Sequence, residues 1–121
     1  MNWYKKANWK DNLGQCYVLS GRYVMSHPDS VLIHGSVNGN NHSWVEMTKS
    51  IPDNTTGKTY SLEVVFDPVM GKEYPKEYYY KKLNAQVFRQ YSPEEVMKTM
   101  VRYNHWGPWD DDNPPKERND F

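Results

Sequence analysis

A single cysteine, four histidines and fifteen carboxylate side chains supply most of the reactive groups in this sequence of 121 residues. Cys16 is the only thiol. It stands at the start of a segment with a helical pattern, where backbone N–H groups and the helix dipole stabilise a thiolate. His42 opens a predicted strand, and Asp67 closes another. A thiolate can attack a carbonyl carbon, an imidazole can give and take the proton, and a carboxylate can orient the imidazole. Those three residue types, in that order, define the chemistry to look for.

The elements that must bring them together can be read from pattern and turn residues. Residues 15–25 predict a helix, with Cys16, Leu19, Ser20 and Tyr23 on the i, i+3, i+4, i+7 template. Pro28 ends it, because the residue before a proline is driven out of the helical region. Residues 31–37 alternate as a strand. Asn38-Gly39-Asn40-Asn41 is a hairpin signal, since these residues tolerate positive φ. A second strand is predicted at 42–47, a turn at Asp53-Asn54-Thr55-Thr56-Gly57, and a third strand from Thr59 to Asp67. Residues 84–90 could add a fourth. Ser92-Pro93-Glu94-Glu95 reads as a capping box with proline at the first helical position. The helix it opens should turn Val96, Met97, Met100, Val101 and Tyr103 inward and stop at Gly107-Pro108. The fold class is therefore α+β: an N-terminal helix packed on a small antiparallel sheet, with a C-terminal helix. If the turn after the second strand centres between Asn54 and Thr55, His42 directly faces Asp67. A bulge in that loop would shift the pairing by one or two residues.

Composition bounds the rest. Fifteen basic and fifteen acidic residues give a formal charge of zero, so no global field draws in nucleic acid or an anionic membrane. The hydrophobic fraction is low, 37%, but ten tyrosines and five tryptophans bury large areas from few residues. No apolar run is long enough to span a membrane, and the first residues lack the apolar core of a signal peptide. A lone cysteine allows no internal disulfide and suits a reducing compartment, so the expected location is cytoplasmic. Residues 1–13 read as an aromatic, basic arm that docks its tryptophans on the body. Residues 1–109 form one predicted domain, and the polar residues 110–121 are predicted to be a disordered tail.

Gly14-Gln15-Cys16 on a helix, His42-Ser43-Trp44-Val45-Glu46 on a strand and Phe66-Asp67-Pro68 closing the next resemble the papain-like superfamily. The match is closest to its transglutaminase-like branch, whose core reads Cys, then His-Ala-Trp-x-Glu, then Asp-Pro, and to its small bacterial and phage members. The resemblance covers residues 12–70. It implies a helix-plus-antiparallel-sheet core and chemistry on amide or ester bonds through an acyl-thioester. It implies Cys16 as nucleophile, His42 as base and acid, and Asp67 as the orienting residue. Ser43 stands where alanine is usual, and no upstream glutamine occupies the papain-type oxyanion position. Asn12 and Gln15 are the candidates for that role, with the Cys16 backbone N–H.

Plainer readings stand beside these. Cys16 could be an ordinary buried thiol, His42 a satisfied strand histidine, and Asp67 a turn residue before Pro68. Trp44 could line the substrate cleft or simply fill the core. His34, across the first hairpin, could bind substrate or hold an ordinary strand position. The four histidines match no metal-site spacing, and the proposed chemistry needs no cofactor. Residues 72–82 mix lysines with tyrosines, as single-strand nucleic-acid binders do, but Glu73 and Glu77 dilute the charge. A lid or a partner-binding loop fits that segment as well. The expected partner is a protein or peptide substrate. The alternative is a catalytically inactive binding protein of the same fold, such as a phage factor that engages a host protein.

Overall fold

The computed structural model describes residues 15–112. The predicted arm at 1–13, Asn12 within it, and the tail from residue 113 lie outside the described residues. Helix α1 spans Gln15–Ser26, and strands β1 and β2 span Ser30–Val37 and Asn40–Pro52. Strand β3 is Thr59–Asp67, β4 is Lys72–Pro75, helix α2 is Lys76–Lys82, and β5 is Gln86–Tyr91. Helix α3 spans Pro93–Tyr103, and a 3-10 turn, Asp110–Asp112, follows. The strands form one antiparallel sheet in the order β4-β3-β2-β1-β5. The class is α+β, with the N-terminal and C-terminal helices on one face.

Strict alternation sorts the two faces of the sheet. Leu32 and Val45 face α1 and α3, where they pack with Val24, Tyr91, Val96 and Trp109. Ile33, Trp44 and Val65 face α2 and pack with Tyr79. The sheet is thus covered on both sides. The segment 72–82, for which a nucleic-acid-binding stretch, a lid and a partner-binding loop are the sequence readings, supplies β4 and the helix of the second layer.

The buried stripe of α1 is Tyr17, Ser20, Gly21 and Val24, with Cys16 on its flank. It is rotated by one residue from the expected stripe, and Leu19 points outward at 37% exposure. Gly21 explains the rotation. A Cβ there would lie 2.6 Å from the Trp106 ring, so the bare backbone receives that indole directly. Helix α3 differs in the same way. Its capping box forms as expected, with Ser92 Oγ accepting from the Glu95 N–H and the Glu95 carboxylate accepting from the Ser92 N–H. Its inward residues, however, include Val96, Thr99 and Met100, while Met97 and Val101 are exposed. It ends at Asn104, whose left-handed φ of 58° terminates the helix before Gly107-Pro108.

The first hairpin forms where expected, but its turn is only Asn38 and Gly39, both at positive φ, so β2 begins at Asn40 rather than His42. The second differs in register. Val45 pairs with Phe66 and Pro52 with Thr59, so the loop closes around residues 53–58 and the pairing slips by two from the simple centre. Asp53 causes this. Its backbone N–H donates to the Lys58 carbonyl at 2.7 Å, and its carboxylate accepts from the Thr55 N–H and the Thr56 hydroxyl. One further correction concerns the tail. Asp110–Asp112 is not a disordered stretch: Asp112 is buried, and its carboxylate accepts from His34 Nδ1 at 2.9 Å, the Trp109 N–H at 3.1 Å and the Tyr91 hydroxyl. Local polarity suggested disorder, but a buried histidine supplies the partner that makes burying Asp112 tolerable.

Candidate active site

Three elements converge where β3 stops. Cys16 is the second residue of α1 and is 4% exposed. One turn further along, Ser20 Oγ donates to the Ser43 carbonyl at 3.2 Å, which ties the helix to β2 beside His42. His42 and Ser43 leave β2 on opposite faces. Ser43 faces α1, whereas His42 starts on the α2 side with Trp44, whose ring centroid is 6.1 Å from the imidazole. Because β3 ends at Asp67, the β3 side of β2 is open beyond Trp44. At this corner the Cys16 thiol and the His42 imidazole hydrogen-bond.

The two-residue slip leaves Asp67 diagonal to His42 rather than directly opposite. Shifting a strand by an even number keeps every side chain on its face, and diagonal neighbours remain within reach. His42 Nε2 therefore donates to Asp67 Oδ2 at 2.8 Å. With Nε2 committed to Asp67, Nδ1 is the nitrogen left to meet the thiol.

Asp67 is fully buried and serves two structures with its two oxygens. Oδ1 accepts from the backbone N–H of Val69 at 3.1 Å and of Met70 at 3.4 Å, which folds the turn to β4. Oδ2 accepts from His42 and from the Tyr79 hydroxyl, at 2.8 Å. The turn contacts and the contact to His42 thus coexist on one carboxylate.

The electrostatics follow from these contacts. Burial opposes a charge on His42, but the hydrogen bonds to Asp67 and Cys16 and their charges outweigh it. The pKa is pushed up from 6.5 to about 10. Burial likewise opposes a charge on Asp67. The His42 hydrogen bond and charge, then the Tyr79 hydroxyl and the Met70 N–H, hold its carboxyl below the usual carboxylate range. Burial, with the charge of Asp67, raises the Tyr79 phenol, so Tyr79 is a neutral donor.

The remaining sequence-derived candidates lie elsewhere. Gln15 is exposed at the first residue of α1. Trp44 is fully buried and fills the α2-side core, with its indole N–H donating to Glu46 Oε2 at 3.0 Å. Glu46 also meets Lys76 Nζ at 3.2 Å and accepts from the Tyr80 hydroxyl. His34 sits on the opposite face from His42, bonded to Asp112 and edge-on to Tyr17. Tyr79 was missed in the sequence. The signal was there in part, since Tyr79 and Leu83 lie at helical spacing behind Pro75, but Lys76, Glu77, Lys81 and Lys82 around them read as surface. Among the described residues, no group of three His, Cys, Asp or Glu side chains could hold a metal ion.

Comparison with protein-family models, with curated proteins and with solved structures finds no match.

Proposed function

We propose that this chain is a cysteine-dependent hydrolase or acyltransferase acting on amide or ester bonds, in the manner of papain-like and transglutaminase-like enzymes. The observation that carries the reading is the continuous chain from Cys16 through His42 to a buried Asp67. The Cys16 sulfur attacks the carbonyl carbon, and the electron pair moves to the carbonyl oxygen. When the tetrahedral intermediate collapses, the bond to the leaving amine or alcohol breaks, and the proton on His42 goes to that leaving group. Water or an amine then attacks the thioester, His42 takes its proton, and the sulfur leaves with the acyl group released.

The causes of the raised His42 pKa suit this sequence of steps. Part of the increase comes from Cys16. Acylation removes that contribution, so the imidazole becomes a weaker holder of its proton in the acyl-enzyme. It is then free to act as the base for the second half. Asp67 keeps its contact throughout and holds the ring.

A p-nitrophenyl ester tests this directly. Intact mass should show one acyl group on the native chain, at Cys16, and none on Cys16→Ala. His42→Ala should acylate at least about 100-fold more slowly, the usual size of general acid–base contributions. Equal acylation of native and Cys16→Ala chains would sink the reading. A non-catalytic binding protein is the second reading, favoured by the near-complete burial of Cys16. It expects no acyl adduct from any ester.

A further inference from the structure

Four donors surround the Asp67 carboxylate, and they divide unevenly in purpose. The Val69 and Met70 N–H groups hold Oδ1 and belong to the turn. They fix one end of the carboxylate but leave it free to swing Oδ2 about that end. The Tyr79 hydroxyl meets Oδ2 itself, at the same 2.8 Å as His42 Nε2. It comes from a different element, α2, which packs on the His42 face of the sheet. Its ring is 1% exposed and is braced by Trp44 at 5.5 Å and Tyr74 at 5.7 Å between centroids.

We propose that Tyr79 is a positioning residue of the site, anchoring the same Asp67 oxygen that holds His42. This inference rests on the cysteine-enzyme reading above. It makes α2 part of the catalytic apparatus: the helix locates Oδ2, Oδ2 locates the imidazole, and the imidazole meets the thiol. Loss of the hydroxyl leaves Oδ2 with one donor fewer, so Asp67 binds a proton more readily. The ion pair with His42 then fails at a higher pH. A residue that only filled the core would move stability and leave that limb where it was.

The experiment is the pH profile of Cys16 alkylation by iodoacetamide in three full-length chains: native, Tyr79→Phe, and a chain with 3-fluorotyrosine incorporated at position 79. Phenylalanine keeps the ring and removes the donor. Fluorination acidifies the phenol and strengthens the donor with almost no change in shape, so it keeps the test alive should Tyr79→Phe fold poorly. The acid limb of the profile should rise by about one pH unit in Tyr79→Phe, the size of one hydrogen bond to a charged acceptor. It should fall in the fluorotyrosine chain. An acid limb at the same pH in the native and fluorotyrosine chains would overturn the role of Tyr79 and leave the cysteine-enzyme reading intact. A native profile that follows an ordinary thiol, with labelling only as the pH approaches about 8.5, would overturn that reading, and the positioning role with it.

Discussion

Asp67 shows how one residue can satisfy a local rule and a long-range one together. As an Asp before proline it was legible as a turn former, and Oδ1 does fold the turn. As the third member of a Cys, His, Asp series it was legible as an orienting group, and Oδ2 does reach His42. The residue types carried this information because few side chains can make those contacts in a buried place. What could not be read was Tyr79, because its role depends on a helix whose own composition looks like surface. The charges at the site carry a prediction about pH. His42 has its pKa raised from 6.5 to about 10, so its contribution to stability is full below pH 6.5 and is lost as pH rises through 10. Asp67 has its pKa lowered from 3.8, so its contribution is present above that value and is lost as pH falls through the lower folded one. Urea unfolding of the native chain should weaken between pH 6.5 and 10, and that decline should be much reduced in His42→Ala. An equal decline in both would mean that the imidazole carries no charge in the folded state.

At the scale of elements, the period of two protected the site from an error in counting. The hairpin centre was misplaced, because the Asp53 side chain closes a longer loop than the simplest turn. A slip of two nevertheless keeps His42 and Asp67 on one face. The helices were less legible at the level of faces, since Gly21 and Thr99, not Leu19 and Val101, lie inward. A glycine that receives an indole looks like a gap in an apolar stripe. Gly35 is the matching case on the sheet. It pairs with His42 on β1–β2, and a Cβ there would lie 2.0 Å from the Gln86 carbonyl oxygen and 2.9 Å from Trp44. Backbone and a buried indole cannot yield cheaply. Gly35→Ala should cost about 3 kcal/mol in chemical denaturation, the upper range for overpacking. A loss under about 0.5 kcal/mol would show that β5 approaches β1 less closely than this packing requires.

Across the whole molecule, the sheet carries a His–Asp–Tyr contact set on each face. One is His42, Asp67 and Tyr79 at the Cys16 corner. The other is His34, Asp112 and Tyr91 on the far side, enclosed by Tyr17, Trp109 and Gly107. The second set holds the chain after α3 against β1 and the first turn of α1. Its existence was invisible to composition, which saw only a run of aspartates. Asp112→Ala should destabilise the fold by roughly 3 kcal/mol, because it leaves buried His34 and Tyr91 without their acceptor. Thermal unfolding of that variant checks this, and an unchanged midpoint would contradict it.

The central claim is that Cys16 and His42 act as a pair. The most direct measurement is the rate of Cys16 alkylation against pH, in the native chain and in His42→Ala. Only one thiol is present, so a single mass increment reports it. The account predicts rapid labelling of the native chain well below pH 8, and loss of that reactivity in His42→Ala until the pH approaches that of an ordinary thiol, about 8.5. Identical profiles in the two chains, or a folded native chain that resists labelling at every pH, would contradict it.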